Sequence, residues 1–254
     1  MANFVNQTTL PVEKGYPERF SLADDLTDWN VGVPGYVPDI NPGVDLAIER
    51  LNLKDVNVTD EKSLRELAKL PMTEAIDAYG PAITKVRNPL GRTGINGTGI
   101  YYVAGGSRVA DMTVRRTNNG GEHEIAMMHR GNKWRFAGGF MDEVDRDNLE
   151  LTALRELYEE VGLDFQDLAG TGQIVALRQE EVKPRSARAT DMGFMTNAVY
   201  MYHLENYDYG NEIRPNDGEA DQVGWFDMRA VQEFRDKKLI SDDHFDYSLQ
   251  ALLY

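Results

Sequence analysis

The chain has 254 residues, no cysteine and a formal net charge of −15. This charge argues against a nucleic-acid backbone or an anionic membrane surface as the main partner, because both are themselves negative. The absence of cysteine excludes disulfides and a cysteine nucleophile, and no apolar run approaches the roughly 20 residues of a membrane span. No basic region followed by an apolar one is visible from Met1, so we expect a cytoplasmic protein.

Residues 1–94 are predicted to form a smaller, partly extended N-terminal lobe. Up to about residue 45 the chain is rich in Pro, Gly, Asn and Asp, which favours turns and extended segments that lie over another surface. A helical pattern follows from Asp60 to Tyr79, interrupted by Pro71, with Thr59 or Asp60 as its cap. The lobe either covers a substrate or forms a separate partner-binding module.

Residues 95–254 are predicted to form an α/β domain. Short apolar-rich segments between turn residues predict strands, and these are 100–103, 112–115, 124–129, 134–136, 174–178, 197–203 and 223–226. A helix is predicted at about 148–161, with Asp147 and Glu150 as a capping box, and a last helix begins at about Asp242. Elements in this order predict an α/β/α sandwich with a mixed sheet.

Three carboxylates fall within five residues of the predicted helix. Glu156 has Glu159 at i+3 and Glu160 at i+4, so the three side chains can share one helix face. Like charges at this density repel one another unless a cation lies between them, and hard oxygen donors suit Mg²⁺ or Mn²⁺. The alternative is an acidic face in contact with solvent. Arg155 precedes Glu159 by four residues and can pair with it or orient a neighbouring acid.

The surroundings of these acids favour a metal site. Gly138-Gly139 precede the helix, and Gly162 predicts its end. A second Arg-Glu-Leu, at 65–67, lacks both the acid pair and the glycine and is interpreted as an ordinary helix. Residues 155–163 match the second half of the Nudix box, G-x5-E-x7-R-E-U-x-E-E-x-G-U with U apolar, at every specified position. The chain therefore resembles the Nudix family.

This resemblance implies a hydrolase that cleaves a nucleoside diphosphate linked to another group, using a divalent metal ion. The metal ligands that it implies are the carbonyl of Gly139 and the side chains of Glu156, Glu159 and Glu160. The first half of the pattern differs, because fifteen residues lie between Gly139 and Arg155 where thirteen are expected. A two-residue insertion explains the difference, and either Asp145 or Asp147 then takes the place of the first glutamate.

The loop at 87–99 narrows the resemblance to the mitochondrial-type ADP-ribose pyrophosphatases of this family. It reads Arg-Asn-Pro-x-Gly-Arg-Thr-Gly-Ile-x-Gly-x-Gly, with Thr98 in place of an arginine. A related domain of a channel protein has lost the first glutamate of this helix. Because Glu156 is present here, we expect an active hydrolase that converts ADP-ribose to AMP and ribose 5-phosphate. NADH, an ADP-sugar or a dinucleotide is an alternative substrate, and a non-catalytic sensor of ADP-ribose or a nucleotide is an alternative function.

Two further sets of residues are candidates for base catalysis and phosphate binding. Glu219 or Asp221, in an acidic loop before Trp225, can act as the general base, as can one of the helix glutamates. Arg92 is a candidate phosphate ligand, because a guanidinium binds phosphate through two nitrogens and Gly94 permits a close backbone approach. The alternative for Arg92 is a structural ion pair.

Other side chains have a structural and a functional interpretation. Trp134 and Phe136 can stack on an adenine or belong to the core. Asp111 is a candidate substrate contact or a structural partner of Arg115. The loop at 185–191 can close over a phosphate or stay solvated. The expected partner is a small nucleoside diphosphate derivative.

Overall fold

The computed structural model describes residues 6–12, 14, 16–40, 58, 60–97, 99, 101, 104–168, 170–183, 186, 188–204, 213–216 and 218–254. The chain divides into two compact units. The first comprises Met1–Ser107 with Val182–Thr196, and the second comprises Arg108–Glu181 with Asn197–Tyr254. The predicted boundary at residue 94 falls inside the first unit. Within the described ranges, no helix has the length and apolar character that a membrane crossing needs.

The first unit contains the helices α1 (Glu61–Lys69), α2 (Met72–Tyr79) and α3 (Ile83–Val86). Asp60 caps α1 by accepting a hydrogen bond from the N–H of Ser63, whereas Thr59 lies outside the described residues. Pro71 separates α1 from α2 as predicted, because proline cannot continue a helix. The apolar faces of these helices form the core of this unit.

The segment 188–191 is part of the first unit. The N–H of Asn88 donates to the carbonyl of Asp191 at 2.9 Å, and the N–H of Asp191 donates to the carbonyl of Ile95 at 2.8 Å. Thr190 and Asp191 are fully buried. The interpretation of these two residues as part of a solvated or closing loop is therefore wrong, because neighbouring backbone groups fix them in place. Arg185 lies outside the described residues.

A mixed seven-stranded sheet carries most of the predicted strands. The strands are β1 (Gly105–Thr117), β2 (His123–Arg130), β3 (Lys133–Arg135), β4 (Ala137–Phe140), β5 (Gly172–Val182), β6 (Gly193–Leu204) and β7 (Gln222–Phe226). Their order is β3-β2-β1-β6-β5, with β4 paired to β1 and β7 paired to β2. The sequence did not predict β4, and the predicted strand at 100–103 lies mostly outside the described residues.

Among the described residues, four α-helices follow or separate these strands: α4 (Leu149–Val161), α5 (Phe165–Leu168), α6 (Met228–Asp236) and α7 (Asp242–Leu253). Alternate residues of β2 face opposite sides of the sheet. Ala126 and Met128 pack in the core that takes the buried face of α4, whereas Ile125 and Met127 pack in the core that takes α6 and α7. Helices on both faces of the sheet confirm the predicted α/β/α sandwich.

The start of α4 differs from the prediction by one residue. Asn148 is the cap, and its side chain accepts a hydrogen bond from the N–H of Glu150 at 2.9 Å. Asp147 does not cap the helix, because its backbone is left-handed and its side chain pairs with Arg108. Gly162 ends the helix as predicted, with a left-handed φ of 76°.

Candidate active site

The acidic cluster of α4 lies in the second unit, where this helix packs against β4. Glu156 and Glu160 are buried, whereas the side chain of Glu159 is 40 % exposed. β4 contains Gly138 and Gly139 and pairs with β1. The structure thus brings the predicted glycines and the predicted glutamates together.

Arg155 joins the acids of this site through one guanidinium. Its Nε and Nη2 donate to the two carboxylate oxygens of Asp145 at 3.1 and 3.0 Å. Its Nη1 donates to Glu156 at 2.7 Å and to Glu159 at 2.9 Å, and its Nη2 also donates to the carbonyl of Phe140. The hydrogen bonds with Asp145 are the main reason why the pKa of Arg155 is raised. Arg155 therefore holds carboxylates in place.

Of the two acids that the sequence allowed in the place of the first glutamate, Asp145 is the one that faces Arg155. Its side chain is only 3 % exposed and also accepts from the N–H of Asp142 at 2.8 Å and from the hydroxyl of Thr152 at 2.9 Å. Burial acts to raise the pKa of Asp145, but the hydrogen bonds from Arg155, Asp142 and Thr152 outweigh it and lower the pKa. Asp145 is thus held as a charged partner for Arg155.

The two extra residues of the loop follow Asp145 directly. Arg146 and Asp147 have φ angles of 52° and 61°, in the left-handed region that non-glycine residues rarely adopt. Counting forward from Gly139, Asp145 falls at the position of the first glutamate of the box, so the insertion lies between Asp145 and α4. The side chain of Asp147 is 84 % exposed and pairs with Arg108 instead.

Glycine in β4 permits the close approach of this strand to α4. A Cβ added at Gly139 would lie 2.6 Å from the Cδ of Glu156, so any side chain there would displace that carboxylate. The N–H of Gly138 donates to Oε2 of Glu160 at 2.7 Å. The backbone of β4 therefore positions Glu160, and the missing side chain of Gly139 leaves room for the carboxylate of Glu156.

Glu156 is the helix glutamate whose pKa is raised by its surroundings. Burial raises the pKa of Glu156, and the nearby charges of Glu159 and Glu219 act in the same direction, while Arg155 opposes them. Glu219 belongs to the acidic loop before β7, and it contacts the same arginine, Arg130, as Glu160. The buried negative charge is of the kind that a cation stabilises.

Arg130, at the end of β2, links that acidic loop to α4. Its Nη1 lies 2.6 Å from Oε2 of Glu219 and 3.5 Å from Oε1 of Glu160. Sequence reasoning missed Arg130, because it lies outside the box and no spacing connects it with the helix. Asp221, the other candidate base of the loop, instead accepts a hydrogen bond from the N–H of Gly131 at 3.1 Å.

The donor chemistry of the site fits a divalent metal ion. Among the residues that the structure describes, no three His, Cys, Asp or Glu side chains are arranged around one point as metal ligands. Nη1 of Arg155 lies between Glu156 and Glu159, in the manner of a cation, while Glu160 is turned towards β4. These carboxylates and the carbonyl of Gly139 are hard oxygen donors, which suit Mg²⁺ or Mn²⁺.

Arg92 has a structural role in the first unit. The prediction that it binds phosphate is therefore wrong. Its guanidinium is fully buried and lies over the rings of Trp29 and Tyr36, at 4.4 and 5.6 Å from their centroids. All five of its N–H groups donate to backbone carbonyls, which belong to Leu26, Asp28, Val31, Ala68 and Leu70. Gly94 is similarly enclosed, because an added Cβ would lie 2.6 Å from the carbonyl oxygen of Phe20.

Three other candidate substrate contacts also have structural positions. Trp134 and Phe136 belong to the core on the sheet face opposite α4, so the core alternative applies to both. Asp111 is buried in β1 and accepts a hydrogen bond from the side chain of Asn197 at 2.7 Å. Arg115 contacts a histidine instead of Asp111. The predicted substrate-binding role of these residues is corrected accordingly.

Comparison with protein families and curated proteins gives a consistent result. The family model described as NUDIX domain matches residues 106–245. A protein of Caenorhabditis elegans named "Putative nudix hydrolase 6" is 26% identical over 223 residues, which are 79% of this chain and 81% of that protein.

Similar solved structures come from several bacteria. The NUDIX domain of Shewanella oneidensis NrtR in complex with ADP ribose is 20% identical, with a TM-score of 0.44 over 57% of this chain and 86% of that chain. A NUDIX hydrolase of Alicyclobacillus acidocaldarius is 15% identical, with a TM-score of 0.47 over 59% and 93% of the two chains. A bifunctional NMN adenylyltransferase/ADP ribose pyrophosphatase of Francisella tularensis, complexed with AMP and a Mn ion, is 22% identical, with a TM-score of 0.45 over 60% and 42%.

Proposed function

Because this chain belongs to the Nudix family, we propose that it hydrolyses the pyrophosphate of ADP-ribose to AMP and ribose 5-phosphate. The observation that carries the proposal is the network in which Arg155 binds Asp145, Glu156 and Glu159. It joins both halves of the box, across the insertion, into one charged site. The choice of ADP-ribose within the family rests on the sequence resemblance of the loop at 87–99.

Nudix hydrolases use a divalent metal ion, and we propose Mg²⁺ or Mn²⁺ for this protein. The residues that would hold it are Gly139, through its carbonyl, and the side chains of Glu156, Glu159 and Glu160. When bound, such an ion neutralises charge on the pyrophosphate and activates the attacking water.

The side chains of the site supply orientation and proton transfer. Asp145 fixes Arg155, and Arg155 in turn sets the carboxylates of Glu156 and Glu159. In the reaction, water adds to one phosphorus of ADP-ribose, and the bond from that phosphorus to the bridging oxygen breaks. Glu219 is the proposed acceptor of the proton of this water, since it contacts the same arginine as Glu160 and is half-exposed.

The test is incubation of the purified protein with ADP-ribose and Mg²⁺, followed by chromatographic detection of AMP. Glu160→Gln should lower kcat by at least about a hundredfold, because it removes a charged metal donor. Glu150→Gln, on the exposed side of the same helix, is the matched control and should leave kcat unchanged. Wild-type protein that forms no AMP contradicts the proposal.

A panel of NADH, ADP-sugars and dinucleotides, ranked by kcat/KM, tests the substrate. A higher kcat/KM for one of these than for ADP-ribose would move the proposal to that substrate. Tight binding of ADP-ribose without turnover would favour the sensor instead.

A further inference from the structure

Arg155 and Arg130, both in the second unit, form ion pairs with glutamates of α4. They differ in how many of their guanidinium nitrogens have a partner. Arg155 is 22 % exposed, and its nitrogens donate to three carboxylates and a carbonyl. Arg130 is 45 % exposed, and its short contact is with Glu219. Both contacts of Arg130 use Nη1, and among the described residues its Nε and Nη2 have no partner.

We propose that Arg130 binds the pyrophosphate of the substrate and releases Glu219 as it does so. This inference rests on the proposed function. A planar guanidinium with unengaged nitrogens matches the geometry of phosphate oxygens, which it binds through two parallel hydrogen bonds. The same guanidinium pairs with the carboxylate of Glu219. Phosphate and Glu219 therefore compete for one cation.

The negative charge of the site explains why the substrate needs a positive side chain such as Arg130. A dianionic pyrophosphate that approaches Glu156, Glu159 and Glu160 meets like charge, and the positive group of Arg155 is already committed to the protein. Among the residues that the structure describes, Arg130 can present positive charge to the substrate at this edge. Its transfer from Glu219 to phosphate breaks the contact between Arg130 and Glu219 beside the reacting centre. Substrate binding thereby removes the positive charge of Arg130 from the proposed proton acceptor.

The experiment is a double-mutant cycle on binding. Calorimetry in buffer with Mg²⁺ measures the affinity for the non-hydrolysable α,β-methylene analogue of ADP-ribose. Arg130→Gln should weaken binding about tenfold or more, as for the loss of a charge-assisted contact. Glu219→Gln should instead strengthen binding by roughly threefold, because it removes the competitor, and this gain should vanish in the double variant. The analogue reports binding independently of turnover.

Controls separate this contact from the general charge of the protein. Arg229→Gln removes one positive charge from an 86 % exposed position on α6 and should bind the analogue like the wild type. Arg130→Lys keeps the charge but lacks the planar fork, so it should recover only part of the affinity. Thermal unfolding confirms that each variant is folded.

Several outcomes would overturn the inference. Arg130→Gln binding the analogue as tightly as Arg229→Gln would show that Arg130 does not contact the pyrophosphate. Weaker binding by Glu219→Gln, or a gain that persists in the double variant, would show that the two groups do not compete. If the cycle behaves as expected and the wild type still forms no AMP from ADP-ribose, the proposed function is wrong and the contact of Arg130 stands.

Discussion

Asp145→Asn is the change that most directly tests how the lengthened loop supports the acidic site. Asn has the shape of Asp but no charge, and its amide N–H₂ faces the N–H groups of Arg155 where a carboxylate oxygen now accepts. The matched control is Asp147→Asn, which makes the same chemical change two residues later. The sequence alone allows either acid to face Arg155, so the pair of variants tests the assignment that the structure makes.

The expected magnitudes differ because the two side chains differ in burial. Asp145 is 3 % exposed and accepts two hydrogen bonds from Arg155, and removal of one partner of a buried ion pair costs about 3 kcal/mol or more. Asp147 is 84 % exposed, and an exposed ion pair contributes about 0.5 kcal/mol. At roughly 2–4 °C per kcal/mol, the melting temperature should fall by about 6–12 °C for Asp145→Asn and about 1–2 °C for Asp147→Asn.

The loss of activity should also be larger for Asp145→Asn than for Asp147→Asn. Without its carboxylate partner, Arg155 no longer fixes Glu156 and Glu159, and loss of such a supporting contact lowers activity by roughly 10–100-fold. Calorimetry gives the melting temperatures, and kcat/KM on ADP-ribose gives the activity. Equal melting temperatures for the two variants, or a larger loss for Asp147→Asn, would refute the reasoning, and this stability result is independent of the substrate.

Three further predictions concern Gly139, Arg92 and Asp191. Gly139→Ala places a Cβ 2.6 Å from the Cδ of Glu156. Displacement of that carboxylate should lower kcat by about a hundredfold. The control is Gly35→Ala, whose added Cβ has nothing within 4 Å and should leave kcat unchanged. Arg92→Lys loses the stacked plane and at least two of the five carbonyl contacts. Urea unfolding should therefore show that the free energy of unfolding falls by about 3 kcal/mol, with an unchanged KM for ADP-ribose. A raised KM in folded protein would restore the phosphate role. Burial raises the pKa of Asp191 to about 6. The folded state therefore keeps a proton on this side chain that the unfolded chain loses near pH 4. The contribution of Asp191 to the free energy of unfolding consequently falls by about 3 kcal/mol as the pH rises from about 4 to about 6. Urea unfolding across that range should show that Asp191→Asn removes this fall, and parallel curves for the two proteins would contradict it.

The layers of the second unit could be predicted from the sequence, because alternation along a strand is a local property. In β2, Ala126 and Met128 face one core while Ile125 and Met127 face the other, as the period of two requires. The strand β4 was missed because Gly138-Gly139 have low strand propensity. They lie in a strand because β1 pairs with them and because glycine permits the approach of Glu156.

The sequence by itself determined that three glutamates share one face of α4, since helix geometry fixes the relation of residues three and four apart. Only the tertiary structure decided that Asp145 faces Arg155, because the backbone of Arg146 and Asp147 absorbs the extra loop length. It also decided that Arg92 is enclosed by its own unit, since spacing along the chain does not show which carbonyls surround a guanidinium. The contact of Arg130 with Glu219 joins residues 89 positions apart, and only the folded chain brings them together.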